Sequence, residues 1–263
     1  MTNILIVGAT RGLGASLANA YAGIASHKVY GTSRSYAAPS SSNVSKELSW
    51  VTDIDLANPH VGELLVEKLR ILKDSPKCFD VVIITAGYFA TEDFTEGPKW
   101  DEQVKMYTTS SIAPPFLVHS LHKAKLLTKG SKIVLVSSES GSITLRHESE
   151  GGGNYGHHAS KAALNMVGKL LSLDLKDDGV IVSIVHPGFM RTDMTKGVGF
   201  DKYYEDGGAV TPDVAAASLI EWVDMELDIG KSGEYWAPRG PRDIGTAEKV
   251  LGKNLETPMH LPW

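Results

Sequence analysis

One stretch near the start of the chain constrains its fold more than any other. An apolar run at residues 3–7 passes directly into Gly8-Ala9-Thr10-Arg11-Gly12-Leu13-Gly14, and a helical pattern follows at residues 14–24. Glycines spaced by four and then two residues let the backbone turn tightly and come close to an anion, with amides pointing at it. A glycine triplet alone says little. Set between a strand and a helix, it predicts a pyrophosphate cradle built from Gly8, Thr10, Arg11, Gly12, Leu13 and Gly14. The competing reading is a tight turn that holds nothing.

Downstream, short β-branched runs at residues 28–32, 50–54, 80–85, 132–137, 180–185 and 234–237 alternate with amphipathic stretches at 60–73, 102–127, 155–176 and 212–227. Most of the runs are continuously apolar, as strands are when helices cover both faces of a parallel sheet. Thr211 before Pro212 has the form of a cap leading into a first helical turn. The alternation predicts an α/β, doubly wound, Rossmann-type parallel sheet of about seven strands, with helices on both faces and right-handed crossovers.

No internal repeat or long linker interrupts the pattern, so residues 1–263 are read as one domain. Residues 37–42 form a short Pro/Ser-rich loop, and Gly151-Gly152-Gly153 is a flexible triplet. Residues 189–210, with Met190, Met194, Phe200, Tyr203 and Tyr204, read as a lid over an apolar or aromatic substrate, or as a packed insertion. Periodicity is lost after Ala237, so residues 238–263 are expected to lie over the domain as a tail.

The end of the second strand selects the nucleotide. Gly31-Thr32-Ser33-Arg34 has no acidic residue to hold a ribose 2′-hydroxyl. Arg34, with Arg11 in the glycine loop, suits a 2′-phosphate through charge-assisted hydrogen bonds, which favours NADP(H) over NAD(H). Two solvated arginines are the alternative. Asp53-Ile54, at the end of the third strand, offers a carboxylate to an adenine or serves as a turn or cap.

A net charge of -5 gives no attraction to nucleic acid or an anionic membrane. No apolar run approaches the roughly 18–20 residues that cross a bilayer. No basic, cleavable leader precedes the first strand, and a lone cysteine, Cys78, permits no internal disulfide; a cytoplasmic protein is expected. Cys78 reads as a small residue entering a strand. His157 and His158 do not suggest a metal site, because adjacent helical residues diverge and no Cys or carboxylate nearby has ligand spacing.

Six stretches occur in order: the glycine loop, Asp53, Thr85-Ala86-Gly87, Ser137-Ser138, Ala159-Ser160-Lys161 and His186-Pro187-Gly188. Together they give the chain, over nearly its whole length, a resemblance to the short-chain dehydrogenase/reductase family. It is most similar to the C-factor-like fungal and bacterial branch, through Ala159-Ser160-Lys161-Ala162-Ala163-Leu164-Asn165-Met166, Pro187-Gly188-Phe189-Met190-Arg191-Thr192-Asp193-Met194 and the terminal Leu261-Pro262-Trp263. The resemblance implies an oxidoreductase in which a Ser-Tyr-Lys group, usually with an Asn, handles a proton while NAD(P)H handles a hydride. It implies Ala86, Gly87, Pro187 and Gly188 beside the cofactor. It puts Thr192 at the nicotinamide carboxamide, Lys161 at the nicotinamide ribose and Ser138 at the substrate oxygen. It also implies a homodimer or homotetramer through the helices at 102–127 and 155–176.

The proton site departs from that pattern. Helical residues four apart share a face, so the residue beside Lys161 is His157, while Tyr155 projects elsewhere. His157 therefore stands at the tyrosine position, and Ser110, in Ser110-Ser111-Ile112-Ala113-Pro114, at the asparagine position. Thr85-Ala86-Gly87 lacks the usual asparagines, and Val7 replaces the usual threonine. A phenol, with a pKa of about 10, needs a neighbouring cation to work at neutral pH. An imidazole titrates near neutrality unaided, and beside Lys161 its pKa should fall.

Tyr155 replaces His157 as proton donor only if the glycine triplet delays the helix; otherwise it packs or lines the substrate mouth. Arg146, His147, Glu148 and Glu150 either bind a polar substrate or form a solvated loop. One functional reading is an NADP(H)-dependent oxidoreductase of a small to medium apolar carbonyl or alcohol, with an atypical proton relay. The other is a redox-neutral cyclase, isomerase, dehydratase or pericyclic catalyst on the same scaffold. A nucleotide-sensing protein without catalysis is the third.

Overall fold

Successive residues of a strand point to opposite faces, and in this molecule both faces are covered. In β1 (Thr2–Val7), Leu5 and Val7 enter one apolar layer while Ile4 and Ile6 enter the other. In β5 (Lys132–Val136), Ile133 and Leu135 part from Val134 and Val136 in the same way. The layer holding Leu5 is closed by α2 (Val61–Ile71), α4 (Ala113–Lys123) and α5 (Tyr155–Asp174). The layer holding Ile4 is closed by α1 (Gly12–Ala22) and α7 (Pro212–Glu221). Each fully buried Leu, Ile or Val stabilises the fold by about 1.5–3 kcal/mol, which explains the continuous apolar runs.

The computed structural model describes residues 1–39, 45 and 47–263. Its remaining strands are β2 (His27–Thr32), β3 (Ser49–Val51), β4 (Val81–Ile84), β6 (Ile181–Val185), β7 (Tyr235–Ala237) and β8 (Met259–His260). They form one sheet in the order β3-β2-β1-β4-β5-β6-β7-β8. β1 pairs with β2 on one side and β4 on the other, so the chain reverses direction across the sheet at β1. A crevice opens at the carboxyl ends of the strands where the order reverses, and ligands bind there in sheets of this kind.

Seven strands are parallel, as the alternation predicted; β8 is an eighth and runs antiparallel to β7. The stretch expected to be a tail is therefore structured. It contributes α8 (Ala247–Leu251), the edge strand β8 and a third apolar cluster that includes Ile244, Ala247, Met259 and Leu261. Its apolar residues are too widely spaced for a periodic signal, and two of their partners, Leu145 and Ile184, are remote in sequence.

The helix expected at 102–127 is broken. α3 (Trp100–Tyr107) passes into a π-helical turn, Thr108–Ile112, before α4 begins. Pro114 and Pro115 have no N–H, and their rings would meet the carbonyls of Ser110 and Ser111; the wider turn relieves that conflict. The stretch expected at 212–227 likewise ends in a π-helical turn, Trp222–Glu226. β3 stops at Val51, short of residue 54, and Asp53 takes a left-handed φ of 59° just beyond it. Residues 40–42 of the Pro/Ser-rich loop lie outside the described residues. Short helices at Asp193–Gly197 (α6) and Phe200–Tyr203 fill the segment after β6, whose ends are joined by a bridge between Met190 and Val210. Among the described residues, no helix is long and apolar enough to cross a membrane.

Candidate functional site

A cavity of about 1550 Å³ opens at the crevice. The glycine loop forms one end, and Gly8, Thr10, Arg11, Gly12, Leu13 and Gly14 all line it. Gly8 has φ +94°, and a Cβ there would lie 2.9 Å from Ala86 Cβ. A Cβ on Gly14 would lie 2.1 Å from the Gly8 carbonyl oxygen. No other residue type fits either position without moving the backbone. The loop is fixed from behind. The Gly8 amide donates to Thr32 Oγ1 at 2.9 Å, and Thr85 Oγ1 donates to the carbonyls of Val7 and Gly8 at 3.0 and 3.2 Å. Thr85 thus supports the cradle.

Arg11 and Arg34 line the cavity, both are exposed, and neither enters an ion pair among the described residues. Ile54, Ala86 and Gly87 line it as well. Asp53 does not: its carboxylate pairs with Lys68 at 3.1 Å, outside the cavity wall. Asp55, two residues on, lines the wall in its place.

Lys161, His157, Ser138 and Tyr155 line the same cavity. Lys161 is buried, and its Nζ donates to the Val136 carbonyl at 2.9 Å. Burial brings its pKa down to about 8. His157 lies against Phe89, with ring centroids 4.0 Å apart and 27° between planes. Burial, with Lys161, His158 and Arg146 as lesser causes, pushes its imidazole well below the ordinary value, so it is neutral at pH 7. His157 Nδ1 is buried without a partner. An orphaned acceptor is better tolerated than an orphaned N–H, so the ring proton belongs on Nε2.

Ser138 Oγ accepts from the Ser140 amide at 3.2 Å, and the Ser138 carbonyl accepts from the Tyr235 hydroxyl. Tyr155, the first residue of α5, is 38% exposed.

Ser110 lies behind the wall and does not line the cavity. Its Oγ is buried and unpartnered in the π-helical turn. Only a glycine separates it from the lysine: a Cβ on Gly87 would sit 3.7 Å from Ser110 Oγ and 3.8 Å from Lys161 Nζ. Pro187, Gly188 and Thr192 line the cavity, and Thr192 Cγ2 faces Gly12 across it at 3.7 Å from the Cβ position there. Thr192 Oγ1 caps α6 by accepting from the Thr195 amide at 3.2 Å. Met190, Met194, Phe200 and Tyr203 line the cavity, whereas the Tyr204 hydroxyl is 2.7 Å from Thr195 Oγ1. Arg146 is held by Glu139 and by Glu150 at 3.4 Å, so its charge braces the 139–150 loop.

Four residues of the site gave no sequence signal as site residues. Phe89 covers His157. Glu92 accepts the Gly156 amide at 2.7 Å beneath the first turn of α5. His186 Nδ1 accepts from the Glu139 amide at 3.0 Å, next to Ser138. Asp243, from the stretch expected to be a tail, accepts from the Phe189 amide at 3.2 Å and from Arg239 Nε at 2.9 Å. His186 was visible only as part of a motif, and the other three carry no local pattern.

A doubly wound sheet with a glycine cradle at its reversal, and a buried lysine beside a serine and an imidazole in the same cavity, defines a nucleotide-dependent oxidoreductase scaffold. The short chain dehydrogenase family model matches residues 2–202, and the chain belongs to that family. An uncharacterized oxidoreductase of Schizosaccharomyces pombe is 29% identical over 240 residues, 84% of this chain and 89% of that protein. A 1-hydroxy-2-glutathionyl-2-methyl-3-butene dehydrogenase of Rhodococcus sp. is 41% identical over 99 residues, 38% of this chain and only 40% of that protein. Among solved structures, NADPH-bound carbonyl reductase from chicken fatty liver aligns with a TM-score of 0.73 at 22% identity, over 90% of this chain and 96% of that one, a likeness of fold.

Proposed function

We propose that this protein is an NADP(H)-dependent oxidoreductase acting on a small to medium apolar carbonyl or alcohol, with His157 in place of the usual phenol. One observation carries the reading: Arg11 and Arg34, free of ion pairs among the described residues, open onto the cavity that also holds Ser138, His157 and Lys161. The cradle fits the nucleotide because the space at Gly8 and Gly14 excludes any side chain, and the two guanidiniums suit a 2′-phosphate. When bound, NADP(H) supplies or takes the hydride.

The residues of the chain do the rest. Ser138 Oγ orients the substrate oxygen. Neutral His157 donates a hydrogen bond to it from Nε2–H, and water, backed by the Lys161 ammonium, supplies the proton that reduction requires. Lys161, with one of its three donors on Val136, keeps the others for the ribose and for the proton supply. Phe89, Phe200 and Tyr203 give the substrate end an aromatic wall. Exposed apolar side chains on α4 (Phe116) and α5 (Met166, Leu170, Leu173) support association into a homodimer or homotetramer through these helices.

The test is NADPH consumption against a panel of aryl and alkyl ketones, aldehydes and imines. Wild type is expected to turn over. His157→Ala is expected to lose on the order of a hundredfold in kcat, and His157→Tyr to gain activity. NADPH binding without turnover on any member would favour redox-neutral chemistry in the same cavity.

A further inference from the structure

Helix α5 carries both His157 and Lys161, yet its own cap residue offers no side chain to its first turn; only the Asn154 carbonyl is used, accepting from the His158 amide at 3.0 Å. Asn154 takes a left-handed φ of 50° and makes no side-chain cap. A helix start leaves four N–H groups without partners inside the helix. The Gly156 amide instead donates to Glu92 Oε2 at 2.7 Å. The other oxygen, Glu92 Oε1, accepts from the Lys99 amide at 3.1 Å and from Gln103 Nε2 at 3.0 Å, at the start of α3. The backbone repeats the link: the Asn154 amide donates to the Glu92 carbonyl at 2.7 Å, and Asn154 Oδ1 accepts from the Glu92 amide at 3.2 Å.

Glu92 is buried and forms no ion pair among the described residues. Two helix starts hold its charge. Burial alone would raise its pKa; the hydrogen bonds from Gly156, Gln103 and Lys99 outweigh that and hold the carboxyl below its usual range.

The joint has no slack. A Cβ on Gly153 would lie 2.6 Å from the Glu92 carbonyl oxygen, and one on Gly156 would lie 2.4 Å from Met106 Cε on α3. His157 follows Gly156 directly. Lys161 is anchored separately, one turn on, to Val136.

We infer that Glu92 is a positioning residue: its carboxylate ties the first turn of α5 to α3 and thereby sets the imidazole of His157 in the cavity. The importance of this for turnover rests on the proposed role of His157; the positioning itself does not.

The test compares Glu92→Ala and Glu92→Gln with wild type in the full-length chain. It reads amide hydrogen exchange, the His157 ring signals in NMR spectra, and NADPH affinity. Glu92→Ala is expected to exchange roughly tenfold faster or more at residues 156–158, since a hydrogen bond there is lost. The His157 ring signals should move, while the Lys161 amide and NADPH affinity hold. Glu92→Gln should fall between, because it keeps one acceptor oxygen but turns an NH2 towards a donor. If turnover is present, kcat should fall on the order of tenfold or more at unchanged NADPH affinity.

Unchanged exchange and ring signals in both variants would overturn the inference, and so would faster exchange spread evenly over the molecule. If Glu92→Ala does not fold, Glu92→Gln decides alone: a local change supports the inference and a global or absent one overturns it. Exchange and ring signals need no substrate, so they hold whether or not the proposed reduction is correct.

Discussion

The two ends of the cavity are built by different means. At the nucleotide end, one loop of neighbouring residues makes the cradle, and its shape follows from which of them lack a side chain. At the substrate end, residues 64 apart (Glu92 and Gly156), 54 apart (Phe189 and Asp243) and 47 apart (Glu139 and His186) are joined by single hydrogen bonds. The first kind of site takes its shape from one loop's backbone and is braced from behind by Thr32 and Thr85. The second exists only once helices and the carboxyl-terminal stretch have packed, so changes there need not disturb the first.

The largest expected effect attacks the cradle. Gly14→Ala places a Cβ 2.1 Å from the Gly8 carbonyl. It should destabilise the fold by about 3 kcal/mol or more and remove nucleotide binding, as seen by thermal unfolding and calorimetry. Normal nucleotide binding by that variant would dissolve the contrast between the ends.

The substrate end should show itself in the pH dependence of stability. Lys161 has a folded pKa of about 8 against an ordinary 10.5. Between those values the unfolded chain binds more protons, so stability should rise with pH from about 8 towards 10.5, by up to about 3 kcal/mol. Denaturant unfolding of wild type and Lys161→Met across this range checks it: the variant should lack that increment.

A smaller effect separates the cofactors. Arg34→Ala should weaken NADPH binding about tenfold, through loss of a charge-assisted contact, and leave NADH affinity unchanged. The smallest sharpens the boundary of the nucleotide end. Asp53→Asn should cost less than about 1 kcal/mol of stability, as a part-exposed ion pair with Lys68, and should leave NADPH affinity as it was.

The same division explains what the sequence revealed. Alternating apolar runs, the glycine loop and the four-residue spacing of His157 and Lys161 are local patterns, and each was read from the residues. The doubly wound parallel sheet followed from the alternation; its strand order did not. Of the two roles read for Asp53, adenine contact or turn residue, the structure shows a left-handed backbone and a carboxylate paired with Lys68, fifteen residues on. Ser110 was read at the asparagine position; its Oγ is buried in the π-helical turn, behind the cavity wall. Glu92, Phe89 and Asp243 have no flanking pattern; their roles come from packing between elements distant in sequence. The final stretch was read as a tail because two-residue strands and five-residue helices fall below the length at which periodicity appears.

The most direct measurement of the central claim is a calorimetric titration of the wild-type protein with NADPH and, separately, with NADH. One-to-one binding of NADPH per chain, about tenfold or more tighter than NADH, is the predicted result. Absence of NADPH binding, or tighter binding of NADH, would contradict a cradle completed by Arg11 and Arg34.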